Sequence, residues 1–509
     1  MNVAMQKMKW CWSWIEFQMN KVYTPKFNPM YWFGSICFYM TWILVITGIY
    51  LFLFYGISAK SAYKSIEYLT HEQWWLGGIM RSVHRYASAG LVVAAVFHTI
   101  QVFITNRYRY WRWLAWVSGV ATIWILIVCG LLGYMMVWDE LAIFITWISS
   151  QLVDTLPIFS KPISFAFAQQ PSDFFFYIVL FGHFFTPVFL LILFMIHVIR
   201  MRNAKINPPK GLMYAILFVL IVISLIRPAT SAPPADLSRL PAEINFDWFY
   251  MFFLPLIQNM SMPAVWAVLT SATLFLAFVP WYGKKRRKAA AVVKYENCTG
   301  CEQCVMDCPY EAIYVRPRTD GREWPMEAIV QPDRCASCGI CVGSCDYKAI
   351  DLPFLPEAEL KEKIKASSQH IVATSEGPNI FVFMCENSTP ADICKQVHSK
   401  SSVACIQLPC MGMAQPSMVA LPLIEGMDGV IISGCQINDC HYRWGNHWLV
   451  DRIKGERKPA LRKNIDNSKI KFYLSSEVQK QDFLEAIDEF REELKERKEA
   501  EKGGKQDEK

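Results

Sequence analysis

Four histidines interrupt the long apolar stretches of this 509-residue chain: His84, His98, His183 and His197. Within each pair the two are 14 residues apart. That interval is close to four helical turns, so both members lie on one helix face, about 21 Å apart along the axis. Ionisable side chains inside a membrane span are costly and point to function. The plainer alternative is a set of helix-packing histidines bonded to neighbours, and the repeated interval weighs against it. Two such helices side by side make two stacked His–His sites, one near each face of a bilayer. Sites of that kind suit two haems and carry electrons across a membrane.

Six stretches approach the 20 or so apolar residues that a span needs: 31–55, 81–104, 113–137, 174–200, 211–228 and 262–282, the fifth being short. Basic residues gather at alternate ends: Lys7, Lys9, Lys21 and Lys26; Arg107, Arg109 and Arg112; Arg200, Arg202, Lys205 and Lys210; Lys284, Lys285, Arg286, Arg287 and Lys288. The positive-inside rule then puts both termini on the cytoplasmic side, as an even number of spans also requires. His84 pairs with His183 near the outer face, and His98 with His197 near the inner one. Gly34 and Gly48 on span one are also 14 apart, and Gly130 and Gly133 lie on span three. Glycine lets a flat macrocycle approach a helix closely, although it also serves ordinary helix packing. The net charge of +7 partly reflects basic patches at membrane-facing ends and does not imply nucleic-acid binding. Residues 1–30 lack a cleavable signal pattern, so no removable signal peptide is expected.

Of the 17 cysteines, 14 follow residue 297. Cys298, Cys301, Cys304 and Cys308 have the spacing C-x2-C-x2-C-x3-C-P, and Cys335, Cys338, Cys341 and Cys345 repeat it with Asp346 in place of the proline. This is the bacterial run for two 4Fe–4S clusters, in which the fourth cysteine serves the other cluster. One cluster takes Cys298, Cys301, Cys304 and Cys345, and the other takes Cys335, Cys338, Cys341 and Cys308. Further on, apolar strands at 380–384, 403–408 and 429–433 finish near Cys385, Cys410 and Cys435, with Cys440 just beyond. In a parallel sheet those carboxyl ends converge, and four thiolates there make a 2Fe–2S site, with zinc or plain buried thiols as alternatives. The expected architecture is a multi-domain membrane protein. An all-α bundle of about six helices occupies 1–288, a small α+β ferredoxin-like domain 289–350 and a linker 351–378. An α/β domain with a parallel sheet fills 379–475, and a charged helix and tail 476–509.

Residues 10–283 resemble the cytochrome b of the quinol-oxidising cytochrome bc family. The likeness is carried by Arg81-Ser82-Val83-His84-Arg85, the histidine intervals, Gly133-Tyr134 followed by Trp138-Asp139, and Asn207-Pro208-Pro209. The first four spans resemble the short chloroplast-type cytochrome b, and the last two its separate small subunit. The resemblance implies that Arg81 meets a haem propionate, and that Phe246-Asp247-Trp248-Phe249 stands where relatives carry Pro-Glu-Trp-Tyr at an outer quinone site. Asp247 would then accept a quinol proton. Val137 replaces the proline of a related turn. Some members bind a third haem through a cysteine, but Trp32 stands at that place, so none is expected. Cys11, Cys37 and Cys129 read as apolar fillers.

The last domain resembles the delta subunit of methyl-viologen-reducing hydrogenases, through Phe383-Met384-Cys385, Leu408-Pro409-Cys410-Met411-Gly412, and the stretch from Gly434-Cys435 to Cys440-His441-Tyr442. Ser388 replaces a family cysteine, and Cys394 and Cys405 are spares that could substitute. The two resemblances imply electron exchange between the quinone pool and a cytoplasmic dehydrogenase, hydrogenase or heterodisulfide-reductase-like partner. They also imply a homodimer within a larger complex. A rival reading keeps the full family activity with separate Rieske and cytochrome c subunits. A second rival is a non-catalytic membrane anchor for a soluble dehydrogenase.

Overall fold

The computed structural model describes residues 3–157, 172–199, 201–238, 244, 247–282, 288–388, 391–398, 402–476 and 478–504. Arg200, Phe246, Lys284, Lys285, Arg286, Arg287 and the tail 505–509 lie outside the described residues. The chain divides into two compact units.

One unit comprises Trp32–Ile199 and Ala204–Lys284. Its main helices are α2 (Phe33–Phe52), α3 (Ile79–Ile104), α4 (Trp113–Val137), α5 (Glu140–Asp154), α6 (Asp173–Val198), α7 (Lys210–Ile226) and α8 (Met262–Phe278); α1 belongs to the other unit. Among the described residues, five apolar helical segments are long enough to cross a membrane, and they carry α2, α3, α4, α6 and α8. The sixth expected span, α7, has 17 residues and is shorter. Helix α2 packs along α3, and α4 along α6. The corner between α4 and α5 is made by Trp138 in the left-handed region (φ 56°), followed by Asp139. The Asp139 carboxylate accepts from Ala142 N at 2.9 Å and caps α5. Phe175, Phe176, Met251 and Leu254 close the core around that corner. On α6, by contrast, Phe181, Phe185, Phe189 and Ile192 form an exposed stripe at helical spacing. In a spanning helix, with every backbone group bonded internally, such a stripe faces lipid.

The other unit comprises Met1–Tyr31, Arg200–Asn203 and Lys285–Lys509. Helix α1 (Val3–Phe27) therefore groups with the cysteine-rich part, not with the apolar helices as the expected 1–288 boundary had it. Asn438 donates to the Pro25 carbonyl at 3.4 Å. Four short strands, β1 (Val292–Val293), β2 (Ile313–Pro317), β3 (Met326–Val330) and β4 (Ile350–Asp351), pair antiparallel as β1–β4 and β2–β3. They frame two one-turn helices, α9 (Gln303–Asp307) and α10 (Ile340–Ser344).

Strands β5 (Ile380–Cys385), β6 (Val403–Leu408), β7 (Gly429–Cys435) and β8 (Ile470–Ser475) form a parallel sheet in the order β6-β5-β7-β8. Every residue of β5 and β7 is buried, as central parallel strands covered on both faces require. Helices α11 (Glu357–Thr374), α12 (Pro416–Ile424), α13 (Gly445–Lys454) and α14 (Lys480–Gly504) belong to this part, with a shorter helix at Ala391–His398 between β5 and β6.

Two expected boundaries change here. The connector 351–378, expected to carry one charged helix, holds α11, whose Leu360 and Ile364 are fully buried, so that helix is packed into the domain. The charged C-terminal helix is no appendage either. Phe483, Ile487, Phe490 and Leu494 of α14 share one core with Ile380, Val382 and Ile431 of the sheet. Their spacing of 4, 3 and 4 residues is the apolar stripe of an amphipathic helix. Phe490→Ala is expected to destabilise the α/β domain by about 3–5 kcal/mol. Limited trypsin digestion across a temperature series reads this as earlier release of α14; unchanged release would show that α14 is not a core element.

Candidate functional site

The helix pairs bring the four histidines together two by two. The rings of His84 and His183 have centroids 6.3 Å apart, and those of His98 and His197 also 6.3 Å. A metal bonded at about 2 Å to one nitrogen of each ring fits that gap. Three of the rings are fixed through the other nitrogen, the usual arrangement for a metal-bound imidazole. His84 Nδ1 lies 2.9 Å from Thr47 Oγ1, and His183 Nδ1 donates to the Cys129 carbonyl at 3.0 Å. His197 Nδ1 lies 3.2 Å from Ser118 Oγ. His98 Nδ1 is buried and has no such partner among the described residues. Cys129, read above as a filler, thus supplies a backbone anchor.

Each ring also faces a glycine. A Cβ on Gly34 would stand 3.1 Å from His98 Cε1, and one on Gly48 3.2 Å from His84 Cε1. Gly119 faces His197 at 3.4 Å and Gly133 faces His183 at 3.1 Å. Gly130 does not join them, because its open side is filled by the Tyr250 ring. Gly119 and Gly133 are the pair on α4, and their own 14-residue interval was the signal that could have found them. Arg81 is buried and committed to protein partners. Its guanidinium bonds Thr70 Oγ1, donates to Ser231 Oγ at 2.7 Å and lies 3.6 Å from Glu67.

Asp247 is 9% exposed. Its Oδ2 is ion-paired with Arg85 and accepts from the Tyr134 hydroxyl, while Oδ1 accepts from Phe249 N at 2.7 Å. The Tyr250 hydroxyl donates to the Ser88 carbonyl at 3.1 Å. Trp248 and Phe249 are exposed. The residues around the carboxylate are therefore Arg85 and Tyr134, not the aromatic neighbours that the sequence motif suggested.

In the cysteine-bearing unit, Cys298, Cys301, Cys304 and Cys345 line one hollow of about 370 Å³. Cys308, Cys335, Cys338 and Cys341 line another of about 340 Å³. These are the two crossed quartets expected from the spacing. Backbone amides point at the sulfurs: Ala328 N to Cys298 Sγ at 3.4 Å, Ala349 N to Cys345 at 3.2 Å, Ala312 N to Cys308 at 3.3 Å and Ala291 N to Cys335 at 3.5 Å. Such donors stabilise thiolates and tune a bound cluster. Arg202, five residues after His197 in the chain, donates its amide to the Pro309 carbonyl at 3.0 Å and its guanidinium to Val305 O.

At the carboxyl edge of the sheet, Cys385 and Cys435 stand with sulfurs 3.9 Å apart. Cys410 and Cys440 complete the group, and all four are buried. Hydrogen bonds with Cys410 and Cys435 hold the Cys440 thiol well below its ordinary range, which favours the thiolate that a metal needs. Among the described residues, no three His, Cys, Asp or Glu side chains converge closely enough for a single ion. Cys394 and Cys405 are joined in a disulfide with Cα atoms 6.1 Å apart. Their sulfurs are directed at each other. His441 packs edge-on to Tyr442 with centroids 4.8 Å apart.

Three family models match the chain: cytochrome b/b6/petB over residues 18–205, a 4Fe-4S dicluster domain over 297–349, and the delta subunit of methyl-viologen-reducing hydrogenase over 380–497. The menaquinol:cytochrome c reductase cytochrome b subunit of Bacillus subtilis is 30% identical over 187 residues, which is 35% of this chain and 82% of that one. The subunit of the same description from Geobacillus thermodenitrificans is 29% identical over 187 residues, with the same coverage. Cytochrome b6 of Auxenochlorella protothecoides is 26% identical over 196 residues, covering 37% and 89%. A solved structure of a hyperthermophilic respiratory Complex III matches at 22% identity with a TM-score of 0.40, over 50% of this chain and 75% of that one. The double variant C394S/C405S is expected to leave non-haem iron content unchanged, and C435S to lower it; iron lost from the double variant would return that pair to the ligand set.

Proposed function

Because this chain belongs to the cytochrome b/b6 family, we propose that it exchanges electrons between the membrane quinone pool and a cytoplasmic iron–sulfur redox partner. Two haems are held by His84/His183 and His98/His197, two 4Fe–4S clusters by the crossed cysteine quartets, and a 2Fe–2S cluster by Cys385, Cys410, Cys435 and Cys440. These groups supply one-electron transfer, while the protein sets their position and potential. The observation that carries the reading is the joining, in one chain, of two histidine pairs 6.3 Å apart with three four-cysteine sets.

The outer quinone site is assigned to Asp247 with Arg85 and Tyr134. Asp247 is the carboxylate placed to take a quinol proton there, with Arg85 and Tyr134 orienting it. The relatives' menaquinol:cytochrome c reductase activity remains the second reading, with Rieske and cytochrome c subunits as partners, and Tyr134 on the Asp247 carboxylate favours it. The non-catalytic anchor has less support, because glycines opposite all four histidines serve a bound macrocycle and not an anchor. The reading further includes a homodimer within a larger complex.

Adding menaquinol to the purified anaerobic protein is expected to reduce the haem absorbance; no reduction would overturn the reading. Gly133→Leu is expected to lower haem content from two per chain to one, measured as the pyridine haemochrome. Unchanged content would remove the His183 site from the assignment. The proposed cytoplasmic side has its own check. Disulfides are uncommon in a reducing cytoplasm, so thiols trapped before lysis should show Cys394 and Cys405 reduced in cells. A fully bonded pair would place the domain on the oxidising side.

A further inference from the structure

The deepest ion pair in the cysteine-bearing unit belongs to none of the quartets. Asp307 on α9 is 1% exposed and Arg452 on α13 is 0% exposed. The Arg452 guanidinium is salt-bridged to Asp307 Oδ2 and donates to Ser344 Oγ at 2.6 Å. The Ser344 hydroxyl donates to the same carboxylate at 2.7 Å, and Arg457 Nε donates to Oδ1 at 3.0 Å. Asp307 and Ser344 hold equivalent places in the two cysteine runs, each just before the fourth cysteine. One arginine from the sheet domain thus holds both runs at their matching positions. Apolar residues of similar volume would stabilise such a spot about as well, so the node is better understood as setting registry than as adding stability.

Around it, the backbones of the two domains touch. A Cβ on Gly412 would meet Gly445 Cα at 2.7 Å and Ile340 Cγ1 at 2.8 Å, and one on Gly343 would collide with the Gly412 carbonyl. Gln415 Nε2 donates to the Val342 carbonyl at 3.0 Å and to the Cys345 carbonyl. The turn after Cys410 is thereby pressed onto α10, which carries Cys341. Gly339, next to Cys338, is pressed on the same turn, where a Cβ would meet Met413 Cγ at 2.7 Å, and on its other side α10 packs against α9, which carries Cys304. The order in space is the sheet quartet, then the Cys308 quartet, then the Cys298 quartet. Of the twelve cysteines only Cys301, at the far end, is exposed.

We propose that the Asp307–Arg452–Ser344 node is a positioning device that fixes the three cysteine sites in a line. The sheet quartet exchanges single electrons with the Cys308 quartet alone, and the Cys298 quartet is the terminal open to solvent. Each step moves one electron, oxidising one site and reducing its neighbour, with no bond formed or broken. The inference rests on the iron–sulfur reading above, and one preparation separates the two. Iron and sulfide analysis of the full chain tests that reading, and absent cluster iron would overturn both.

Electron paramagnetic resonance of the dithionite-reduced protein tests the line. The sheet-site signal is expected to be split by its neighbour. The splitting should vanish in Cys338→Ser and persist in Cys301→Ala. In Arg452→Met it should collapse at unchanged iron content, and Arg452→Lys should restore part of it. Splitting that survives in Arg452→Met at full iron content, or that is lost in Cys301→Ala and kept in Cys338→Ser, overturns the proposal. If Arg452→Met loses iron, the two cysteine variants decide it by the same outcomes.

Discussion

The helix bundle depends on one steric condition: where a histidine ring turns toward a neighbouring helix, that helix carries no side chain. Gly48 answers His84, Gly34 answers His98, Gly133 answers His183 and Gly119 answers His197. The same 14-residue interval runs through four helices. It ties α2 to α3 and α4 to α6, because each glycine helix packs on the helix whose rings it accommodates. A single β-carbon at any of these places would meet an imidazole at 3.4 Å or less. The hydrogen bonds from Thr47, Cys129 and Ser118 follow from that close approach, since they come from the glycine helices.

Much of this was legible because its signals are periodic. Histidines at a helical interval, cysteines in a fixed run and apolar strands ending at cysteines each locate a group without tertiary information. What could not be read was which of two glycines faces a ring. Gly130 and Gly133 are three residues apart, nearly one turn, and only the Tyr250 ring beside Gly130 separates their roles. The helices α11 and α14 were underestimated for another reason. Among their many charges, Leu360 and Ile364, or Phe483, Ile487, Phe490 and Leu494, form narrow stripes whose burial only the packed partner reveals. The pairing of Cys394 with Cys405 was hidden because bond formation depends on distance across a strand and a helix, not on spacing in the chain.

The Asp247 region shows how a family motif can change while its carboxylate stays. The shorter side chain is met by Arg85 from α3 and by Tyr134 from α4. These two residues adjoin His84 and Gly133 in sequence. The Asp247 carboxylate is thereby tied to the same two helix segments that present His84 and Gly133, and a shift in either segment changes its hydrogen bonding. Arg85 lies over the Tyr134 ring at 5.2 Å, a further attraction that holds the two partners together.

The apolar stripe of α14 also bears on the order in which the chain assembles. Strand β5, near the middle of the sheet, buries Ile380 and Val382 against Phe483, Ile487, Phe490 and Leu494, which follow it far along the chain. Until Leu494 has left the ribosome, that face of the sheet has no cover, although the apolar helices have long since emerged. A chain stalled or clipped before α14 would therefore carry a finished bundle and an open sheet, with hydrophobic strands ready to pair with those of another copy. Closing the core of the sheet thus waits on a helix that follows all four of its strands in the chain.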